Sequence, residues 1–239
     1  MLRATGVTKA FGGLVAVDDV SFEIDDEEVV GLIGPNGAGK TTLFNAITGV
    51  YPPTEGEIYL NGTEITGMKP HEISRTGVAR TFQTARTFNE STVLENVVVG
   101  GIFGNGDSRS AAEERARQNL AFVGLDDAID EEVGALNLAD RKLLELARAL
   151  TTEPEFVLVD EIGSGLTPAE LETLTDTLLR IRSERGISVF WIEHIMDAIM
   201  GSTDRIIVLN QGEKIADGTP EEVQQNQQVE EAYLGGVEV

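Results

Sequence analysis

The 239-residue sequence carries 41 acidic against 18 basic residues, a formal net charge of −23, with 41% hydrophobic residues and no cysteine. That hydrophobic fraction supports a packed core and excludes a disordered chain, and the lack of cysteine excludes disulfides and thiolate metal sites. The acidic field, offset by no basic stripe, excludes nucleic acid as a partner.

From the N-terminus, MLRATGVTKAF has no secretory apolar region. No apolar run approaches the roughly 18–20 residues that span a bilayer, so any membrane role is expected through a partner. Phe11 stands beside Gly12 and Gly13, and segment 15–24 reads as β. Residues 29–33 (Val-Val-Gly-Leu-Ile) form a continuous apolar run, the pattern of a strand buried on both faces. It feeds into Gly34-Pro35-Asn36-Gly37-Ala38-Gly39-Lys40-Thr41-Thr42, followed by a helical stretch at 43–47. This is the phosphate-binding pattern GxxxxGK[ST] in its proper strand–loop–helix setting. The glycines let successive N–H groups face phosphate oxygens at a helix N-terminus. Lys40 reaches the β- and γ-phosphates, and the Thr41 hydroxyl is placed to ligate Mg2+. A nucleotide gives Phe11 a possible use: its ring can stack on adenine, or it can simply fill the core.

Segment 57–60 is also β-like, and 78–83 is a short β-like run ending in Gln83. That uncharged amide can touch both the water on a metal ion and a mobile subdomain. Between 86 and 150 the sequence lacks a convincing strand and shows helical pieces at 93–99, 111–123 and 139–150. This stretch is expected to be a helical subdomain within a single domain, whose core and β parts come from 1–85 and 151–239. Residues 100–110, rich in Gly, Asn and Ser, read as a flexible surface segment. A second buried strand, 156–159, ends in Asp160-Glu161. Beside a phosphate loop, Asp160 can hold Mg2+ directly or through water, and Glu161 can polarise an attacking water. An amphipathic helix follows over 169–185 behind Pro168, then strand 188–192 with His194 after it, which can reach a γ-phosphate or can simply cap the helical stretch 195–200 or face solvent. A last strand, 206–209, opens a hairpin over 206–217 around Gln211-Gly212. Strands alternating with helices predict an α/β fold with a parallel sheet. The pieces 15–24, 57–60 and 206–217 predict an antiparallel β subdomain beside the nucleotide.

Together these residues resemble the ATP-binding cassette family over essentially the whole chain. Gly34 to Thr42 correspond to its Walker A loop, and 156–161 to Walker B with the catalytic Glu161. Phe11 corresponds to the adenine-stacking aromatic, Gln83 to the Q-loop and His194 to the switch histidine. The resemblance implies a P-loop, RecA-like core, an antiparallel β subdomain and a helical subdomain engaging a membrane permease. Gly77-Val-Ala-Arg-Thr-Phe-Gln-Thr-Ala-Arg-Thr-Phe, Thr92-Val-Leu-Glu-Asn-Val, Asn210-Gln-Gly-Glu-Lys-Ile-Ala-Asp-Gly-Thr-Pro-Glu-Glu-Val and Ala232-Tyr-Leu-Gly look like the ATPase subunits of branched-chain amino-acid importers.

Two places depart from the family pattern. The signature LSGGQ is Leu136-Asn137-Leu138-Ala139-Asp140 here. Asn137 can cap the following helix, and Asn137 and Ala139 would face a partner subunit's ATP, but Leu138 stands where glycine permits close approach and positive φ. The D-loop ends in Thr167 where the family has Asp. The altered signature favours pairing with a non-identical second cassette, leaving one site slow; a homodimer is the alternative. The expected function is ATP-driven import of branched-chain amino acids or another small solute such as urea, through permease subunits and, indirectly, a solute-binding protein. The expected location is the cytoplasmic face of the cell membrane. A soluble cassette acting on DNA repair or ribosomes, a P-loop kinase or GTPase, and a non-hydrolysing regulator account for fewer of these residues. The acidic load with only 5 lysines against 13 arginines looks like adaptation to high salt.

Overall fold

The computed structural model describes residues 1–82 and 86–234, the last as backbone only. The strands are β1 (Leu2–Phe11), β2 (Leu14–Ile24), β3 (Val29–Ile33), β4 (Glu55–Leu60), β5 (Thr63–Glu64), β6 (Val78–Arg80), β7 (Phe156–Asp160), β8 (Ser188–Ile192), β9 (Arg205–Asn210) and β10 (Glu213–Gly218). The α-helices are α1 (Lys40–Ile47), α2 (Pro70–Arg75), α3 (Val93–Val99), α4 (Arg109–Val123), α5 (Leu138–Leu150), α6 (Pro168–Arg185), α7 (Met196–Ser202), α8 (Pro220–Gln224) and α9 (Gln227–Leu234).

Among the described residues, six strands form one sheet in the order β10-β9-β3-β8-β7-β6, and four form a second in the order β2-β1-β4-β5. The large sheet is parallel except for its edge strand β10, which runs antiparallel to β9. Its central strands β3, β7 and β8 are buried at every position, which explains their continuous apolar runs. Alternate residues serve two separate cores. Val29, Ile33, Val157, Val159, Val189 and Trp191 face a cluster with residues from α3, α4, α5 and α6. Val30, Leu32, Phe156, Leu158, Phe190 and Ile192 face α1 and the antiparallel sheet. The sheet is thus the middle layer, with helices on one side and α1 with the β layer on the other. The active face lies where the parallel strands end, the usual ligand position in open α/β sheets.

Two expectations need correction. The hairpin 206–217 exists, but it is not part of the antiparallel layer: β9 pairs parallel with β3, as its continuous apolar run implies, in register Gly31↔Ile206 and Leu32↔Ile207. Hairpin formation is local, whereas strand pairing across 175 residues carries no local signal. The antiparallel layer instead takes β1, which sequence reading passed over. Its inward positions change phase from Leu2 and Ala4 to Val7 across an irregularity in the β1–β2 register. The second correction concerns 100–110. Gly100–Asn105 continues α3 as a π-helical turn, and Gly100 and Gly101 are buried. A Cβ on Gly100 would lie 2.5 Å from the Arg148 carbonyl oxygen, on Gly101 2.9 Å from Ala112 Cβ and on Gly104 2.8 Å from Thr152 Cγ2. These glycines permit close packing against α4 and the end of α5, so 100–105 is a helical turn and not a surface loop.

Candidate nucleotide site

The phosphate loop, 34–39, joins the end of β3 to α1. Gly34, Gly37 and Gly39 have φ of 152°, 80° and 103°, and a Cβ at Gly34 or Gly39 would overlap the carbonyl oxygen of Leu209 or Ala16 respectively. These two glycines are therefore fixed by space as well as by φ. Ala38 N–H donates to Pro35 O at 3.1 Å, closing the turn. Gly212 N–H at the hairpin tip donates to Ala38 O at 3.1 Å, and Asp18 N–H of β2 donates to Gly212 O at 2.9 Å. The loop is thus braced by both sheets. Lys40, Thr41 and Thr42 occupy the first turn of α1, whose amides lack intrahelical acceptors and point toward the space where an anion is stabilised.

Ala16, Asn36, Gly37, Gly39, Lys40 and Glu161 are among the residues lining one open chamber of about 340 Å3 at this helix end. The fold therefore brings the phosphate loop and Glu161 together. Lys40 is nearly buried, and its Nζ donates to the carbonyl oxygens of Gly34 at 2.7 Å and Pro35 at 3.1 Å. Burial pushes the Lys40 ammonium below its ordinary value, while the charges of Glu161 and Asp160 push back. Thr41, beside it, is exposed and Thr42 half-buried.

Asp160 closes β7 in register with Ile192 of β8. It is buried, and its Oδ2 accepts from Arg80 Nη2 at 2.7 Å. Arg80 also donates to Asn45 Oδ1 of α1 at 2.7 Å and to Oγ1 of Thr48, which caps the C-terminus of that helix, at 3.2 Å. Glu161 follows with φ 45°, its N–H donating to Ile192 O at 2.8 Å. At the adjoining strand end stand Glu193, buried, and His194, whose side chain is 56% exposed. Sequence reading missed Arg80 and Glu193. The available signal was a charged residue inside a short apolar strand in one case, and an acid between an apolar strand and His194 in the other. Among the described residues, no three His, Asp or Glu side chains converge on a metal position. One carboxylate and one hydroxyl nevertheless suit Mg2+, which keeps waters and substrate phosphate oxygens in its shell. Gln83 lies outside the described residues.

Phe11 is 41% exposed, so the core alternative does not hold. Its ring meets Tyr51 edge-on with centroids 5.4 Å apart, and Lys9 Nζ lies 5.1 Å from its centroid. Asn137 does cap α5: its Oδ1 accepts from Asp140 N at 2.8 Å. Leu138 begins the helix, 46% exposed and without the positive φ that glycine would have allowed, and half-buried Ala139 follows it in the first turn. Thr167 caps α6, its Oγ1 accepting from Glu170 N at 3.4 Å while Glu170 Oε2 accepts from Thr167 N at 2.7 Å. A hydroxyl caps a helix about as well as a carboxylate, which accounts for Thr167 locally. Thr167→Asp should leave the melting temperature nearly unchanged, whereas Thr167→Ala should cost about 0.5–2 kcal/mol in denaturant unfolding.

Residues 17–164 match the family described as ABC transporter. This chain belongs to that family. Residues 213–239 match a second description, branched-chain amino acid ATP-binding cassette transporter. The cassette is 41% identical to the high-affinity branched-chain amino acid transport ATP-binding protein BraF of Pseudomonas aeruginosa, over 98% of both chains. It is 40% identical to LivG of Escherichia coli, described in the same words, again over 98% of both. A nucleotide-free ATP-binding cassette from an ABC transporter superposes with a TM-score of 0.89 at 33% identity, covering 98% of each chain. An ADP-bound cassette of an ABC transporter gives the same values. The chain is accordingly an ATP-hydrolysing transporter subunit with the P-loop fold and an antiparallel β layer. No helix among its described residues is long and apolar enough to cross a membrane.

Proposed function

We propose that this cassette powers uptake of branched-chain amino acids through separate permease subunits, working at the cytoplasmic face of the membrane. The observation that carries this reading is the full-length likeness, at 40–41% identity, to two proteins described as branched-chain amino acid transport ATP-binding proteins. In this reading the phosphate loop binds the triphosphate of ATP, Phe11 stacks on its adenine and Glu161 activates the attacking water. His194 meets the terminal phosphate, and Gln83 links the site to the permease side. Thr41, Asp160 and Gln83 would hold Mg2+, which supplies charge neutralisation on the phosphates. Asn137 and Ala139 would complete the ATP site of a second, non-identical cassette, and a solute-binding protein would deliver the substrate.

The permease contact is supported by a groove of about 340 Å3 between α2, β6 and the π-helical turn, lined by Val50, Ile73, Phe82, Val99 and Phe103. Phe103 is 74% exposed at its rim, an apolar side chain that no described residue covers. The deciding experiment is reconstitution of the cassette with its permease, second cassette and binding protein in vesicles. ATP-dependent accumulation of leucine, isoleucine or valine is the expected result; accumulation of urea or another solute instead would overturn the substrate assignment.

The acidic clusters at 25–28, 126–127, 130–132, 221–222 and 230–231 are exposed or half-buried, as a high-salt surface requires. Raising KCl from about 0.1 M to about 1 M shortens the screening length from about 10 to about 3 Å. The melting temperature should therefore rise with KCl in a calorimetric scan. A flat or falling trend would argue for an ordinary acidic surface.

A further inference from the structure

The loop that follows Glu161 is closed on itself only loosely, by Ser164 N–H to Glu161 O at 3.5 Å and Leu166 N–H to Gly163 O at 3.2 Å. Its remaining backbone groups need partners from elsewhere, and two buried ionic side chains supply them. Lys142 of α5 is 3% exposed, and its Nζ donates to the carbonyl oxygens of Ile162 and, at 2.9 Å, Ser164. Between those two carbonyls, Gly163 N–H donates to Glu193 Oε2 at 2.9 Å. Glu193 is 1% exposed at the end of β8, and its Oε1 accepts from the backbone N–H of His194 at 2.9 Å and of Ile195 at 3.4 Å. Three consecutive residues are thus held by a cation from α5 and a carboxylate from β8. Hydrogen bonds assisted by charge are about twice as strong as neutral ones. Burial lowers the Lys142 pKa, and the charges of Glu193 and Glu145 oppose that shift.

The fit leaves no spare room. A Cβ on Gly163 would lie 2.6 Å from Glu193 Oε2 and 2.9 Å from Leu171 Cδ1. Leu138 stands one turn before Lys142 on the same face of α5, and it reaches the end of the same loop. A Cβ on Gly165, at φ 81°, would lie 3.0 Å from Leu138 Cδ2. The side chain at the altered signature position therefore packs on the loop that Lys142 holds. Glu161 itself is anchored on its N-terminal side, where its N–H donates to Ile192 O at 2.8 Å. The loop is its other handle. We propose that Lys142 and Glu193 are positioning residues for Glu161: by fixing the backbone at 162–164 they hold its carboxylate at the chamber wall, and Lys142 makes that placement depend on α5. Neither residue is among those lining the phosphate chamber, so their loss acts on turnover and not on nucleotide affinity. The proposal rests on the reading of Glu161 as the residue that activates water.

Lys142→Met keeps the apolar stem and removes the donors. In the full chain it should lower kcat for ATP by about 10–10²-fold, the effect of displacing a reacting group by about 1 Å, with Mg·ATP affinity unchanged. Gly163→Ala leaves both charged side chains in place and crowds Glu193 Oε2; it should show the same split, and it carries the test where Lys142→Met fails to fold. In the Glu161→Gln background, Lys142→Met should cause no further loss of turnover. A further loss of the same size there overturns the proposal, as does a fall in affinity with kcat retained. Amide hydrogen exchange of the unsubstituted full chain requires no variant at all. Gly163 N–H should exchange slowly, and exchange at the rate of an exposed loop overturns the proposal. Turnover undiminished by Glu161→Gln alone would instead overturn the reading of Glu161. Faster Gly163 exchange in Lys142→Met would then still support the hold on the loop, and unchanged exchange would overturn it.

Discussion

Replacing Glu161 with Gln should lower ATP turnover by about 10²–10⁴-fold, the usual worth of a positioned general base, with nucleotide binding retained. Glu161 lies on the wall of the chamber formed by the phosphate loop. Its backbone is held at φ 45° by the bond from its N–H to Ile192 O. Such a conformation costs a non-glycine residue about 1–3 kcal/mol and persists only where its surroundings fix it. The amide keeps the shape and removes the basic oxygen, so the substitution separates chemistry from binding. Lys40→Ala should show the converse pattern, because Lys40 is the buried cation at the phosphate position and its loss should weaken binding first. Steady-state phosphate release paired with nucleotide titration distinguishes the two. Equal loss of affinity in both variants would show that Glu161 acts by shaping the loop rather than by activating water.

The parts of this molecule legible in its sequence are those where a local pattern has a local cause. Strands β3, β7, β8 and β9 announce themselves because both faces are buried, so no polar alternation interrupts them. The phosphate loop is legible because its glycines, lysine and threonine act within nine consecutive residues. Strand β1 hides because the bulge shifts its inward phase, and β9 hides its partner because pairing with β3 is a tertiary choice. The glycines of 100–105 mislead for a related reason. Their neighbours, Arg148, Ala112 and Thr152, are unknown until the chain is folded. The same limit governs the site. Asp160, Glu161 and His194 stand at strand ends that periodicity places, whereas Arg80, which holds Asp160, and Glu193, which accepts from Gly163 N–H, acquire meaning only across strands.

Arg80 carries the second large effect. Its side chain and that of Asp160 are 7% and 5% exposed, and they meet at 2.7 Å. The guanidinium is further fixed by Asn45 and Thr48 and lies 5.7 Å from the centroid of the Phe44 ring and 5.1 Å from that of Phe82. Breaking a buried pair from one side strands the remaining charge and typically costs about 3–5 kcal/mol. At about 2–4 °C per kcal/mol for a chain of this size, Arg80→Met should lower the melting temperature by roughly 6–20 °C. Asp160→Asn should restore part of that loss in the double variant, since the stranded charge then disappears. The double-mutant cycle measured by denaturant unfolding without nucleotide gives the coupling directly. A cycle that closes with no coupling would mean that Asp160 is held by the strand alone. A coupled pair would mean that β6, three residues before Gln83, and the carboxylate at the end of β7 are set by one ion pair.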